Sequence, residues 1–172
     1  AKSPQASRVL EKLAELIGAE KPGEPRRAWG MALIMGWNSC CGVAVDLSVS
    51  AAKTLTMHEF VCAIDCGIAV NPAIVLAQAE GGIFFGLSAA LWGDVRFEDS
   101  QTVGGNFDVH RVLRINEAPR MRVEVLKSDS APGGVGEIST AAVAPAIANA
   151  IFLASGTRVR QLPFARAQFD LA

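Results

Sequence analysis

The stretch SAPGGVGEISTAAVAPAIANAIF at 130–152 sets one carboxylate, Glu137, directly after three glycines, Gly133, Gly134 and Gly136. Beyond Glu137 the stretch is almost wholly apolar. Glycines have no Cβ, so their backbone amides can approach a ligand closely. The run is not a Walker loop, which ends in GK[ST], and it is not the GxGxxG of a dinucleotide fold. Two readings of Glu137 therefore stand. It is an acid complementing the dipole of the helix it opens, or it is a general base at the mouth of a poorly hydrated pocket.

A second polar group lies in AQAEGG, with Gln78 and Glu80. A glutamine among small residues either finds backbone or water or donates to a ligand laid over Gly81 and Gly82. Asp65 and Asn71 read as turn formers. Four cysteines occur, Cys40–Cys41 side by side, Cys62 and Cys66. They lack the paired CxxC of a zinc or iron–sulfur site, and His58 and His110 do not complete one. Buried, reduced thiols are the reading.

The elements that must position these groups are legible from periodicity. SRVLEKLAELIGA at 7–19 puts Val9, Leu10, Leu13, Leu16 and Ile17 on one stripe, with Ser7 as cap. This amphipathic helix and the EKPGEP linker make residues 1–25 an N-terminal appendage. Strands are expected at 29–36, 42–50 and 54–64, the first two joined through a turn at Asn38–Ser39. Asn71–Pro72 should cap and open a helix to about 91. Its interior holds Gly81, Gly82 and Gly86. Each costs about 1 kcal/mol against Ala, which close approach of a backbone or ligand would explain. Residues 92–119 read as irregular, and MRVEVLKS as a strand at 121–127. The last helix is expected to begin at Pro145, where a proline is tolerated, and to end at Gly156. The fold class is α+β with a Gly-lined cleft, in a single domain over 1–172.

At 172 residues the chain can bury a real core. Its 51% hydrophobic and 19% charged residues leave some apolar surface for a partner. Sixteen basic and seventeen acidic residues give a net charge of −1 with no basic stripe, so nucleic-acid binding is not expected. No run of 18 apolar residues and no secretory leader are seen, so direct membrane insertion is not expected either.

Four blocks, in order, carry a resemblance: VCAIDCGIAVNP at 61–72, LAQAEGGIFFGLSAALWG at 76–93, NFDVHRVLRINEAP at 106–119 and PGGVGEISTAAVAPAIANAIFLASGTRVRQLP at 132–163. Together the chain resembles the molybdenum hydroxylases, the xanthine dehydrogenase and aldehyde oxidase superfamily. The likeness is to the C-terminal part of the molybdopterin-binding subunit, as in isoquinoline 1-oxidoreductase and bacterial aldehyde dehydrogenases, over residues 5–164. The resemblance implies one partial cofactor-binding domain with a mixed sheet and packed helices. It implies hydroxylation of an aldehyde or N-heteroaromatic carbon with water-derived oxygen, and Glu137 matches the family's catalytic base. Gln78 matches a cofactor-contacting glutamine, and Gly133, Gly134, Val135 and Gly136 would border the metal centre, with no protein ligand to the metal.

The cofactor implied is a molybdopterin-type molybdenum cofactor, with a cytosine dinucleotide form as one version. It would be shared with the remainder of the subunit, while [2Fe–2S] clusters would sit on an iron–sulfur partner. A cytoplasmic location is expected, or a periplasmic one carried by a partner chain. The alternative is an inactive fragment or interaction domain that keeps only the scaffold. The absence of Lys and Arg from 128 to 157 suits a base, whose proton affinity a nearby cation would weaken. Departures from the family pattern are His110 in place of a usual Tyr and ISTAA in place of a proline-containing stretch. Trp37, Asn38 and Cys40–Cys41 stand where smaller residues or serine are usual.

Overall fold

The computed structural model describes residues 3–18, 23–104, 106 and 108–172. Outside them lie Ala19 of the first predicted helix, Glu20 to Pro22 of the linker, and Gly105 and Phe107 of the polar run. The first helix, α1, spans Pro4–Ile17. It starts a turn earlier than a Ser7 cap would allow. Ser3 accepts from the Ala6 amide at 3.3 Å, and Pro4, with its fixed φ, opens the helix. The Ser7 hydroxyl instead donates back to the Ser3 carbonyl.

Three antiparallel strands come next: β1 (Arg27–Gly36), β2 (Ser39–Val49) and β3 (Thr54–Asp65). The β1–β2 turn is Trp37–Asn38, with Gly36 paired to Ser39, so Ser39 belongs to the strand and not to the turn. After β3 comes α2 (Pro72–Trp92), capped by the Asn71 side chain, which accepts from the Ile74 amide at 3.2 Å. Within the stretch expected to be irregular, β4 (Arg96–Glu98) and β5 (Gln101–Val103) form a small hairpin. The strand β6 (Arg120–Val125) returns parallel to β3, and α3 (Ile138–Ser155) closes the layer. Last, β7 (Asp170–Leu171) pairs with the start of β3. The main sheet order is β1-β2-β3-β6. This is the α+β architecture expected.

The two faces of the sheet are covered unequally. On one, Val9 and Leu13 of α1 bury completely against Cys40, Ala44, Val61 and Ala63, worth about 1.5–3 kcal/mol per side chain. On the other, α2 and α3 pack over Val43, Val45, Phe60, Cys62 and Ile64. Covered on both sides, β2 is buried along nearly its whole length.

The last helix begins at Ile138, seven residues before the expected start at Pro145. The residues facing the core are 138, 139, 142, 143, 146, 147, 150 and 151, while Ala141 and Pro145 face outward. The proline therefore frees a carbonyl toward solvent, where water can satisfy it, and the helix continues. It ends at Gly156, which is left-handed at φ 74° as expected. By length and composition α2 and α3 could each cross a membrane. Each buries one face against the sheet and against the other helix, as core helices do.

Candidate functional site

The glycine run is held by two neighbouring loops. A Cβ on Gly133 would lie 2.3 Å from the Ser39 Oγ and 2.5 Å from the Asn38 carbonyl oxygen. Gly133 donates to the Cys66 carbonyl at 2.8 Å, and Gly134 to the Trp37 carbonyl at 2.7 Å. The Asn38 side chain donates to the Ala131 carbonyl at 3.1 Å. From the other side, Gly67, at φ 69°, presses so close to the Ala131 carbonyl that a Cβ there would collide. Ile68 donates to the Ser130 carbonyl. Val135 packs its side chain on the main core. So the first two glycines are small for the protein's own packing. Gly136 is different: no atom lies within 4 Å of where its Cβ would stand.

Glu137 is the residue just before α3, and its side chain makes no cap bond. Among the described residues it forms no ion pair, and it is exposed. Its carboxylate is thus not consumed by helix capping. The poorly hydrated pocket expected around it is not supplied by this chain's described residues. Only Trp37, Gly134, Gly136 and Glu137 border its cavity, of about 390 Å³, and none of them covers it.

Gln78 reaches this place from α2, its Nε2 donating to the Gly136 carbonyl at 2.6 Å. Gln78 and Glu137, 59 residues apart in sequence, thus meet at one loop. The bond is to backbone, in keeping with the plainer reading of Gln78, yet that backbone belongs to the glycine run. The buried Ser139 Oγ has no partner among the described residues but faces Gly82 between the two helices, and the Thr140 amide donates to the Glu137 carbonyl at 3.1 Å.

The three helix glycines divide by use. A Cβ on Gly82 would strike Ser139 Oγ at 2.2 Å, and one on Gly86 would stand 2.8 Å from the Thr140 carbonyl, so both let α3 approach α2. Gly81 meets nothing within 4 Å. It lines a larger apolar cavity of about 570 Å³ with Phe84, Phe85, His110 and Leu113, to which neither Gln78 nor Glu137 contributes. A ligand over both Gly81 and Gly82, one of the two sequence expectations, is therefore not what the packing offers.

Asp65 forms the expected turn, its carboxylate accepting from the Gly67 amide at 3.1 Å. It is also fully buried and paired with Arg8 of α1 at 2.6 Å, a partnership of which sequence spacing gives no sign. Burial opposes its ionisation, but the Arg8 guanidinium, the Gly67 amide and the Gln5 side chain outweigh it and hold the carboxyl below its ordinary range. The chain from α1 through Asp65 and Gly67 to Ala131 is what fixes the glycine run from below.

The cysteines are all buried and free. Burial pushes the Cys40 thiol up to about 11, and Cys41 lies 3.6 Å from Cys62, sulfur to sulfur. No group of three His, Cys, Asp or Glu among the described residues is placed to hold a metal ion.

Residues 13–119 match the molybdopterin cofactor-binding domain family. The membrane-bound aldehyde dehydrogenase (pyrroloquinoline-quinone) of Gluconacetobacter polyoxogenes is 34% identical over 164 residues, which cover 90% of this chain and 21% of that protein. Isoquinoline 1-oxidoreductase subunit beta of Brevundimonas diminuta is 31% identical over 94% of this chain and 21% of its own length. Among solved structures, the aldehyde oxidoreductase from Desulfovibrio desulfuricans aligns with a TM-score of 0.62 at 26% identity, over 73% of this chain and 14% of that one. The chain thus spans about a fifth of the curated relatives it matches.

Proposed function

Because this chain belongs to the molybdopterin cofactor-binding domain family, we propose that it forms the base-bearing edge of a molybdenum hydroxylase site. The reaction is hydroxylation of an aldehyde or an N-heteroaromatic carbon with water-derived oxygen. One observation carries the reading: Gln78 bonds the carbonyl of Gly136, the residue before Glu137, and Gly136 and Glu137 both border open space.

The residues present fit a bulky anionic cofactor. Gly136 leaves room that a Cβ would take, it borders the open cavity with Gly134 and Glu137, and the N-terminal amides of a helix such as α3 favour negative charge. When bound, the cofactor supplies the two-electron redox step. Gln78 would orient the Gly136 carbonyl and leave its own carbonyl free to face the cofactor, and Gly133 to Gly136 would border it. Glu137 would accept, on a carboxylate oxygen, the proton released as the water-derived oxygen is transferred to carbon. Exclusion of water from that carboxylate falls to segments outside this chain. So do the rest of the cradle, its nucleotide form, and [2Fe–2S] clusters on an iron–sulfur partner.

Turnover of an aldehyde in ¹⁸O-labelled water by the full-length enzyme tests this reading. Label in the new hydroxyl supports it, after correction for aldehyde exchange using an N-heteroaromatic substrate that does not exchange. Unlabelled product contradicts it.

A further inference from the structure

The β1–β2 turn holds a residue that its backbone does not favour. Trp37 and Asn38 form a two-residue hairpin loop, at φ 50° and 58°. Both positions are left-handed, which Asn, Asp and Gly adopt readily and a bulky aromatic residue does not. Asn38 suits its place. Trp37 does not, and its left-handed conformation is strained. Packing among the described residues does not repay that strain. The residue is 55% exposed and belongs to neither hydrophobic cluster of the fold. Its Cβ rests on Gly134, and its carbonyl accepts from the Gly134 amide. The indole borders the cavity that Gly134, Gly136 and Glu137 complete. Among the described residues that line it, Trp37 is the aromatic one.

We propose that Trp37 is the aromatic wall of the Glu137 cavity and selects flat aromatic substrates, aryl aldehydes and N-heteroaromatic rings, over aliphatic aldehydes. The inference rests on the assignment of Glu137 as the base of the reaction and deepens it by naming the substrate class. Its chemistry is ring stacking. An indole face offers an extended π surface, and an offset or edge-on aromatic pair gains about 0.5–1.5 kcal/mol beyond the area it buries. That corresponds to roughly 2- to 13-fold in affinity. An alkyl chain on the same face gains burial only. A rigid turn, tied to the glycine run through the Gly134 amide, holds the ring in fixed relation to Glu137.

The turn itself supplies the test. Trp37→Asn removes the ring and installs a residue that the left-handed backbone prefers, so the variant should fold at least as well as the parent. Trp37→Phe keeps an aromatic face. In the assembled enzyme, kcat and KM are measured for benzaldehyde, isoquinoline and butyraldehyde, together with the thermal midpoint and bound molybdenum. Isoquinoline binding to the parent and to Trp37→Asn is also followed in the absence of turnover, by quenching of tryptophan fluorescence and by calorimetry.

Trp37→Asn should raise KM for benzaldehyde and isoquinoline about 3- to 10-fold, with kcat within about twofold and the butyraldehyde constants unchanged. Its midpoint should be equal or higher, its molybdenum content the same, and its isoquinoline affinity lower by the same factor. Trp37→Phe should recover most of the loss. Equal KM changes for aromatic and aliphatic substrates would overturn the proposal, as would parental isoquinoline affinity in Trp37→Asn. A lower midpoint with all substrates impaired alike would also overturn it and make Trp37 a packing residue of the turn. Failure of the base assignment reads out separately. It would appear as full turnover in a Glu137→Gln variant, while the binding difference between parent and Trp37→Asn would persist.

Discussion

Gly133→Ala should be the most damaging single methyl addition in the glycine run, and its cost can be worked from the contacts. The new carbon would stand 2.3 Å from the Ser39 Oγ and 2.5 Å from the Asn38 carbonyl oxygen, where a carbon–oxygen contact settles near ~3.3 Å. The Ser39 hydroxyl can rotate, but the Asn38 carbonyl is fixed inside a two-residue turn. The loop must therefore recede by about 1 Å, in keeping with the ~1–3 kcal/mol of an overpacked site. Receding also weakens the 2.8 Å bond from the Gly133 amide to the Cys66 carbonyl, adding about 1 kcal/mol. The sum is about 2–4 kcal/mol, or a fall of roughly 5–15 °C in Tm for a chain of this size. A 1 Å displacement of the segment bearing Glu137 should also lower kcat by about 100-fold. Gly136→Ala is the control, since its methyl meets no atom within 4 Å and should change stability by less than about 0.5 kcal/mol. Urea denaturation of both variants, followed by tryptophan fluorescence, reads the difference. A Gly133→Ala midpoint matching the parent, or a Gly136→Ala variant the less stable of the two, would refute the reasoning.

The helix glycines give a second contrast: Gly81→Ala should stabilise by about 1 kcal/mol from helix propensity alone, because nothing lies near its new methyl. Gly86→Ala should destabilise by about 1–3 kcal/mol, since its methyl meets the Thr140 backbone carbonyl; thermal melts that rank the two the other way would refute the packing described. Asp65 should set part of the acid sensitivity. Its carboxyl is held below its ordinary range, so its contribution is full above the unfolded value of about 3.9 and is lost as pH falls through the lower folded value. Asp65→Asn should lower stability at neutral pH and flatten the decline below about pH 4, and denaturation curves that remain parallel to the parent's at every pH would contradict this.

The sheet and the two long helices could be read from the sequence because alternation and caps are local signals. VAVDLSV alternates, Asn71–Pro72 announces α2, and Gly156 ends α3 as a left-handed cap. The misplaced helix start had a specific cause. Pro145 is carried inside α3 with the carbonyl it frees facing water, and sequence alone does not say which side of α3 that is. Similarly, Ser3–Pro4 outcompetes Ser7 as the start of α1 because it pairs a capping hydroxyl with a residue preset for the first turn. Within the site, Glu137 stood out through its glycines, and Gln78 through its setting in a small-residue helix. Their meeting at Gly136 could not be read, since it depends on how α2 lies on α3. The Arg8–Asp65 pair was hidden for the same reason, being a contact across 57 positions. Trp37 was visible as a departure from a family pattern, but its left-handed backbone and its place beside Glu137 are properties of the folded turn.

Whether Glu137 serves as a base or only as the residue at the head of α3 is decided most directly by one measurement. In the full-length enzyme, kcat of Glu137→Gln is determined per bound molybdenum. Glutamine keeps the shape and the hydrogen-bonding capacity but cannot take up the proton. General-base catalysis contributes about 10²–10⁴-fold, so kcat and kcat/KM should fall together by that factor with the cofactor still bound. A normalised kcat within about threefold of the parent would remove Glu137 from the chemistry and leave it as the exposed residue that precedes α3.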